Sequence, residues 1–167
     1  MKLSKSISLI VLLAACITVS AQGSKEDSLA KRHQEMMNIL YTKPKLPIKK
    51  IGILLYDGYN TLDAMGPYHT LAEIMGSNVF FVAKKKGIVK NQRGLEIRVD
   101  SSFAEVKSLD ILVIPGGAAE TFMQTQDTVT LNWIRQIDKT TYYTTSVCTG
   151  AWILGASGLL KGRNVTT

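Results

Sequence analysis

The sequence predicts an α/β domain in which a mostly parallel sheet is layered between helices. Three observations carry this. "KIGILL" and "LDILVIPGG" are short, nearly continuous apolar runs, the pattern of strands buried on both faces. "NVFFVAKK" and "TYYTTSV" add further runs of β-formers, and stretches of helical periodicity stand between them. Strands that alternate with helices pair in parallel, because each return to the sheet crosses over through a helix.

Residues 22–50 are polar and charged, with Pro44 and Pro47 near their end. They read as a linker carrying one short amphipathic helix from Asp27 to Tyr41, because Leu29, Met36, Ile39 and Leu40 fall close together on a 3.6-residue wheel. Such a helix would lie against the domain or a partner subunit. The domain proper spans 51–167. Its first strand holds Ile51, Ile53, Leu54 and Leu55 and ends at Asp57-Gly58. Asn60 or Thr61 then caps a helix from Leu62 to Met75, with Gly76 as its stop. "GIVKNQRGLEIRVD" has a turn at Asn91 to Gly94 between two β-type runs, which predicts a hairpin.

The strand in "LDILVIPGG" runs into Gly116 and Gly117. Ala119 to Lys139 then reads as one helix, with Leu131, Ile134 and Ile137 on a stripe and Trp133 beside it. "TYYTTSV" is the next strand, and "TGAWILGASGLL" is a helix that Gly158 interrupts or ends. "KGRNVTT" looks like a turn entering another strand. A sheet ending there would leave an edge uncovered, so the domain is expected to be truncated at its C-terminal end.

At the other end, Lys2 and Lys5 precede "ISLIVLLAACITVSA", a charged region followed by a short apolar run. This reads as a signal peptide over 1–21, cut after Ala21, with Val19 and Ala21 at the small-residue positions. Leu13-Ala14-Ala15-Cys16 also fits a lipoprotein box, in which Cys16 would carry a lipid anchor. Either cut exports the protein, periplasmic or secreted, and leaves no stable membrane span. Losing residues 1–21 removes two lysines and no acid, so the formal charge of +7 falls to +5. The clusters "AKKKG" and "KPKLPIKK" are not interleaved with aromatics and read as solvated face or linker, with no nucleic-acid partner.

Cys16 and Cys148 are the two cysteines, so cleavage after Ala21 leaves Cys148 alone in an oxidising compartment. A thiol so placed is either buried and inert or kept for its reactivity. Cys148 stands at a strand's end and a helix's start, a sharp turn of the nucleophile-elbow kind. The first helical turn there favours an anion and a lowered thiol pKa. Gly150 is small enough for close approach, and the amide of Thr149 can face the site. Gly116 and Gly117 end on the same sheet edge, so the Gly117 and Thr149 amides form a candidate oxyanion cradle. Asp63, in the first turn of the helix after the first strand, is either a favourable dipole contact or a partly buried acid able to share a proton with Cys148.

The segments "LLYDGYNTLDAMGPYHTLAEI", "LDILVIPGG" and "TTSVCTGAWILGASGLLKGRNVTT" resemble the DJ-1/PfpI superfamily, with its class I glutamine amidotransferase-like fold. The last segment is similar to the isonitrile hydratase-like branch and to the sensor domains of certain AraC-type regulators. The resemblance implies a flavodoxin-like three-layer sandwich and a homodimer. It also implies Cys148 as nucleophile, Asp63 as acidic partner, and Gly117 with Thr149 as the amide cradle. Protease-like members have histidine directly after the cysteine, and Thr149 here disfavours peptidase activity. His69 stands where the hydratase branch often has an acid.

No metal is expected, since His33 and His69 are far apart and Cys148 adds no ligand spacing. "PGGAAE" lacks a phosphate-binding fingerprint, so no cofactor is expected either. The first functional expectation is an exported cysteine enzyme converting a small isocyanide to an N-formamide. The alternatives are a ligand- or redox-sensing domain without turnover, and glyoxalase- or deglycase-type action on reactive carbonyls.

Overall fold

The computed structural model describes residues 26–39 and 45–165. The expected signal peptide, with Cys16, lies outside the described residues. The chain divides into two units between Lys45 and Leu46. The first contains a helix, α1, over residues 26–39, where a helix from Asp27 to Tyr41 is expected; Leu40 and Tyr41 lie outside the described residues. Leu29, Met36 and Ile39 are exposed on it.

In the second unit the elements run β1 (Lys50–Leu54), α2 (Thr61–Ala72), β2 (Asn78–Val82), β3 (Gly87–Lys90), β4 (Glu96–Val99) and β5 (Ile111–Ile114). They continue with α3 (Ala119–Gln124), α4 (Thr128–Asp138), β6 (Tyr143–Ser146) and α5 (Gly150–Ala156). Four strands form one sheet in the order β2-β1-β5-β6, parallel throughout. The register pairs Ile51 with Val79 on one side and with Ile111 on the other, and Ile114 with Ser146. The chain steps from β1 outward to β2 and from β5 outward to β6 in opposite directions. Right-handed crossovers therefore put α2 and the α3–α4 pair on opposite faces. This is the three-layer α/β arrangement of the flavodoxin-like class.

The apolar runs become strands because both faces of the sheet are covered. Ile51, Ile53, Leu54, Leu112 and Ile114 are all buried, and α2 contributes Ala64 to the same core. Leu131, Ile134 and Ile137 form the buried stripe of α4, and Trp133 stacks on Phe103 at 4.2 Å between ring centroids. From α5, Ile153 and Leu154 reach the core.

Local signals account for the boundaries. Asn60 caps α2 by accepting from the Leu62 amide at 3.0 Å. The expected hairpin forms as β3 and β4, paired antiparallel. Its turn is held by the Asn91 side chain, which accepts from the Arg93 and Leu95 amides at 2.8 and 2.7 Å, and by Gly94 at φ 87°.

One expectation fails. The single helix from Ala119 to Lys139 is two, broken where Asp127 turns its carboxylate to the amides of Val129 and Thr130. An aspartate competes for nearby amides in this way, and apolar periodicity does not register it. Among the described residues, no helix is long and apolar enough to cross a membrane.

Candidate functional site

The site lies where the chain leaves β1, β5 and β6, all at their carboxyl ends. These strands are parallel neighbours, so the three exits share one edge. The chain turns from β1 to β2 on one side and later enters β5 on the other, which makes the β1/β5 crevice the place where side chains from separate loops can meet.

Cys148 occupies the turn between β6 and α5 and is exposed. Its φ is 53°, the left-handed region, where no other described residue except glycine sits. A non-glycine side chain is held there only when its surroundings require it. The turn is closed by the Val147 amide on the Ile114 carbonyl at 3.0 Å and by the Gly150 amide on the Val147 carbonyl at 3.0 Å. Gly150 is needed for that approach: a Cβ on it would fall against the Ile114 carbonyl oxygen and 2.9 Å from the Pro115 carbonyl carbon.

Asp63 sits partly buried in the first turn of α2, and its Oδ2 accepts from the Gly116 amide at 3.2 Å. Pro67 has no N–H to give to the Asp63 carbonyl, so α2 lacks that hydrogen bond one turn into the helix. Thr149 clasps the glycine loop at two points: its hydroxyl accepts from the Gly117 amide at 3.1 Å and donates to the Gly117 carbonyl at 3.0 Å. A Cβ built on Gly116 would lie 2.6 Å from Thr149 Oγ1, 2.8 Å from Thr149 N and 2.9 Å from Asp63 Oδ2. A hydroxyl, an amide and a carboxylate thus converge on a space that only glycine leaves open.

Asp63, Gly116, Gly117 and Thr149 therefore meet, with Cys148 adjacent in the chain to Thr149. The Gly117 amide faces the Thr149 hydroxyl, so accepting a substrate's charge there requires that hydroxyl to turn away. His69 is exposed in the last turn of α2, and His33 is exposed on α1. Among the described residues, no cluster of metal-ligating side chains is present.

Sequence reasoning missed Tyr56 and Thr121. The Tyr56 hydroxyl donates to the Pro115 carbonyl at 2.9 Å and lies 2.9 Å from Thr121 Oγ1, with both side chains buried. Burial pushes the Tyr56 phenol up to about 12; any negative charge on Asp63, Cys148 and Glu120 pushes the same way, against the hydrogen bond from Thr121. Tyr56 thus props the carbonyl just before Gly116. It was hidden inside the strand signal of "ILLYDG", since its partners lie far along the chain.

Fold and site together define an α/β domain with a cysteine held on a strained strand-to-helix turn, beside an acid and a glycine loop. The sequence model of the DJ-1/PfpI family matches residues 49–167, and the chain belongs to that family. It is 38% identical over 118 residues to an isonitrile hydratase of Pseudomonas putida, covering 71% of this chain and 51% of the hydratase. It is 30% identical over 120 residues to the deglycase PfpI of Pyrococcus furiosus, covering 71% of each. The chain thus spans about half the length of the hydratase it matches. Among solved structures, a ThiJ/PfpI family protein from Pseudomonas syringae superposes with TM-score 0.68 at 34% identity, over 74% of this chain and 51% of the other.

Proposed function

We propose that this chain belongs to a cysteine-dependent enzyme that hydrates small isocyanides to N-substituted formamides. The observation that carries the reading is the convergence of the Asp63 carboxylate with the hydroxyl and amide of Thr149 at Gly116, beside the exposed Cys148. The similarity to the isonitrile hydratase supports the choice of substrate. Cys148 Sγ attacks the terminal carbon of R–N≡C, and that carbon takes a proton relayed by Asp63, giving the thioimidate R–N=CH–S. Water then adds to the same carbon while the nitrogen is protonated. The hydroxyl proton passes to Asp63 as the C–S bond breaks, the sulfur recovers its electron pair, and R–NH–CHO leaves. The amides of Gly117 and Thr149 hold the charge that develops, once the Thr149 hydroxyl has released Gly117.

The test is turnover of a model alkyl isocyanide, followed by appearance of its formamide. Wild type is expected to turn over, and Cys148→Ser to lose activity by at least about a thousandfold, as nucleophile removal does. Turnover unaffected by Cys148→Ser would sink the mechanism. A second reading, glyoxalase- or deglycase-type action, is supported by the similarity to the deglycase; in it Cys148 would attack a carbonyl carbon instead. Turnover of a reactive dicarbonyl with none of the isocyanide would favour it, and turnover of neither would favour a sensing domain. The reading further holds that residues 1–21 export the protein and that it works as a homodimer. Cell fractionation and light scattering test these two points.

A further inference from the structure

We propose that a cavity at the carboxyl ends of β1 and β2, which neither Cys148 nor Asp63 lines, binds a small carboxylate with a short apolar body. Its volume is about 310 Å³, at the small end of ligand pockets. The floor is apolar, built from Leu54, Leu55, Ala83, Val89 and Phe103, all buried core residues. The rim holds Lys84, Lys85 and Lys86, the "AKKKG" cluster that reads in the sequence as merely solvated. Folding carries these lysines from the end of β2 to the edge of the sheet where parallel α/β folds take ligands.

Two of the lysines pair with acids. Lys84 pairs with Asp127, which also caps α4 and accepts from the Thr130 hydroxyl at 3.0 Å. Lys86 pairs with Glu105 at 2.5 Å, and Glu105 accepts from the Ser102 amide and hydroxyl at 3.1 and 2.9 Å. Both lysines are about half exposed, so these pairs offset their charge without immobilising them and leave each with further N–H donors. Lys85 pairs with no acid among the described residues. The one carboxylate among the described lining residues is Asp57, which is exposed and accepts from the Lys90 amide at 2.9 Å. With two of the three lysines paired to acids, the ammonium of Lys85 over an apolar floor suits a ligand whose acceptor-bearing head stays at the mouth while its hydrocarbon enters.

The probe is hexanoate, titrated calorimetrically into the full chain alongside hexan-1-ol and hexylamine. Hexanoate is expected to bind one to one, and both neutral and cationic analogues at least about tenfold more weakly, one step of charge-assisted pairing. Lys85→Gln is expected to weaken hexanoate about tenfold, whereas Lys50→Gln, exposed at the amino end of β1 and so at the opposite edge of the sheet, leaves it unchanged. Cys148→Ser should bind hexanoate as wild type does, so this site and the isocyanide chemistry stand or fall separately. Absence of hexanoate binding, equal affinity for hexan-1-ol, or indifference to Lys85→Gln would each overturn the assignment.

Discussion

Replacing Tyr56 with phenylalanine removes one oxygen and strands two groups. The Pro115 carbonyl loses a donor at 2.9 Å, and the buried Thr121 hydroxyl loses a partner at the same distance. A buried polar group left without its partner costs about 1–3 kcal/mol, so Tyr56→Phe should destabilise the fold by roughly 2–4 kcal/mol. Thr121→Val alone leaves Tyr56 bonded to Pro115. In the double variant only the carbonyl is stranded, so the two effects should fall short of additive by about 1 kcal/mol. The pH dependence supplies an independent measure. Tyr56 is raised to about 12 in the fold from an ordinary value near 10, so the folded state holds a proton that the unfolded state has given up between those values. Its stabilising contribution is whole below pH 10 and is lost as the pH rises to 12, by about 2–3 kcal/mol. Urea unfolding of the four proteins at neutral pH, and of wild type and Tyr56→Phe between pH 9 and pH 12, measures both quantities. A cost below about 0.5 kcal/mol for Tyr56→Phe, with an unchanged alkaline slope, would refute the claim that this hydroxyl props the glycine loop.

Gly150→Ala drives a Cβ into the Ile114 carbonyl, where no flexible side chain can give way, and should cost about 3 kcal/mol in urea unfolding, the upper end for overpacking. A loss below about 1 kcal/mol would show that the turn carrying Cys148 does not press on β5 as described. Asp127→Ala removes the cap of α4 and should cost about 1 kcal/mol. Burial alone would raise the Asp127 carboxyl, but Lys84 and Thr130 outweigh it and hold it below the usual carboxylate range. Its contribution is therefore present above the unfolded-state pKa and lost as the pH falls through the folded one. Acid unfolding of the variant should lack that part of the slope.

The layered α/β class was legible because apolar runs such as "ILVI" and the stripe through Leu131, Ile134 and Ile137 are short-range patterns, set by burial on both faces of a strand or one face of a helix. Cys148 was legible for a similar reason: a strand signal ends and a helical one begins within a few residues of it. Asp127 was not, since its cap breaks a helix by competition for two amides and leaves the apolar pattern intact. Tyr56 and the lysines after β2 belong to a different kind of information. Tyr56 looks like one more strand residue until β1 and β5 pair and bring Pro115 and Thr121 to its hydroxyl. Lys84 to Lys86 are the exposed run that the sequence suggests, and only the fold sets them beside the space between the ends of β1, the hairpin and α4.

What the chain dictates locally is its elements, their order, and a thiol at one strand-to-helix junction, because those follow from neighbours a few residues apart. The tertiary structure alone decides that Asp63, Gly116 and Thr149 converge, since they follow three different strands whose carboxyl ends are gathered only when the strands pair in parallel. Side-chain chemistry is written residue by residue, but the distances that turn it into a site depend on the pairing of strands some sixty residues apart.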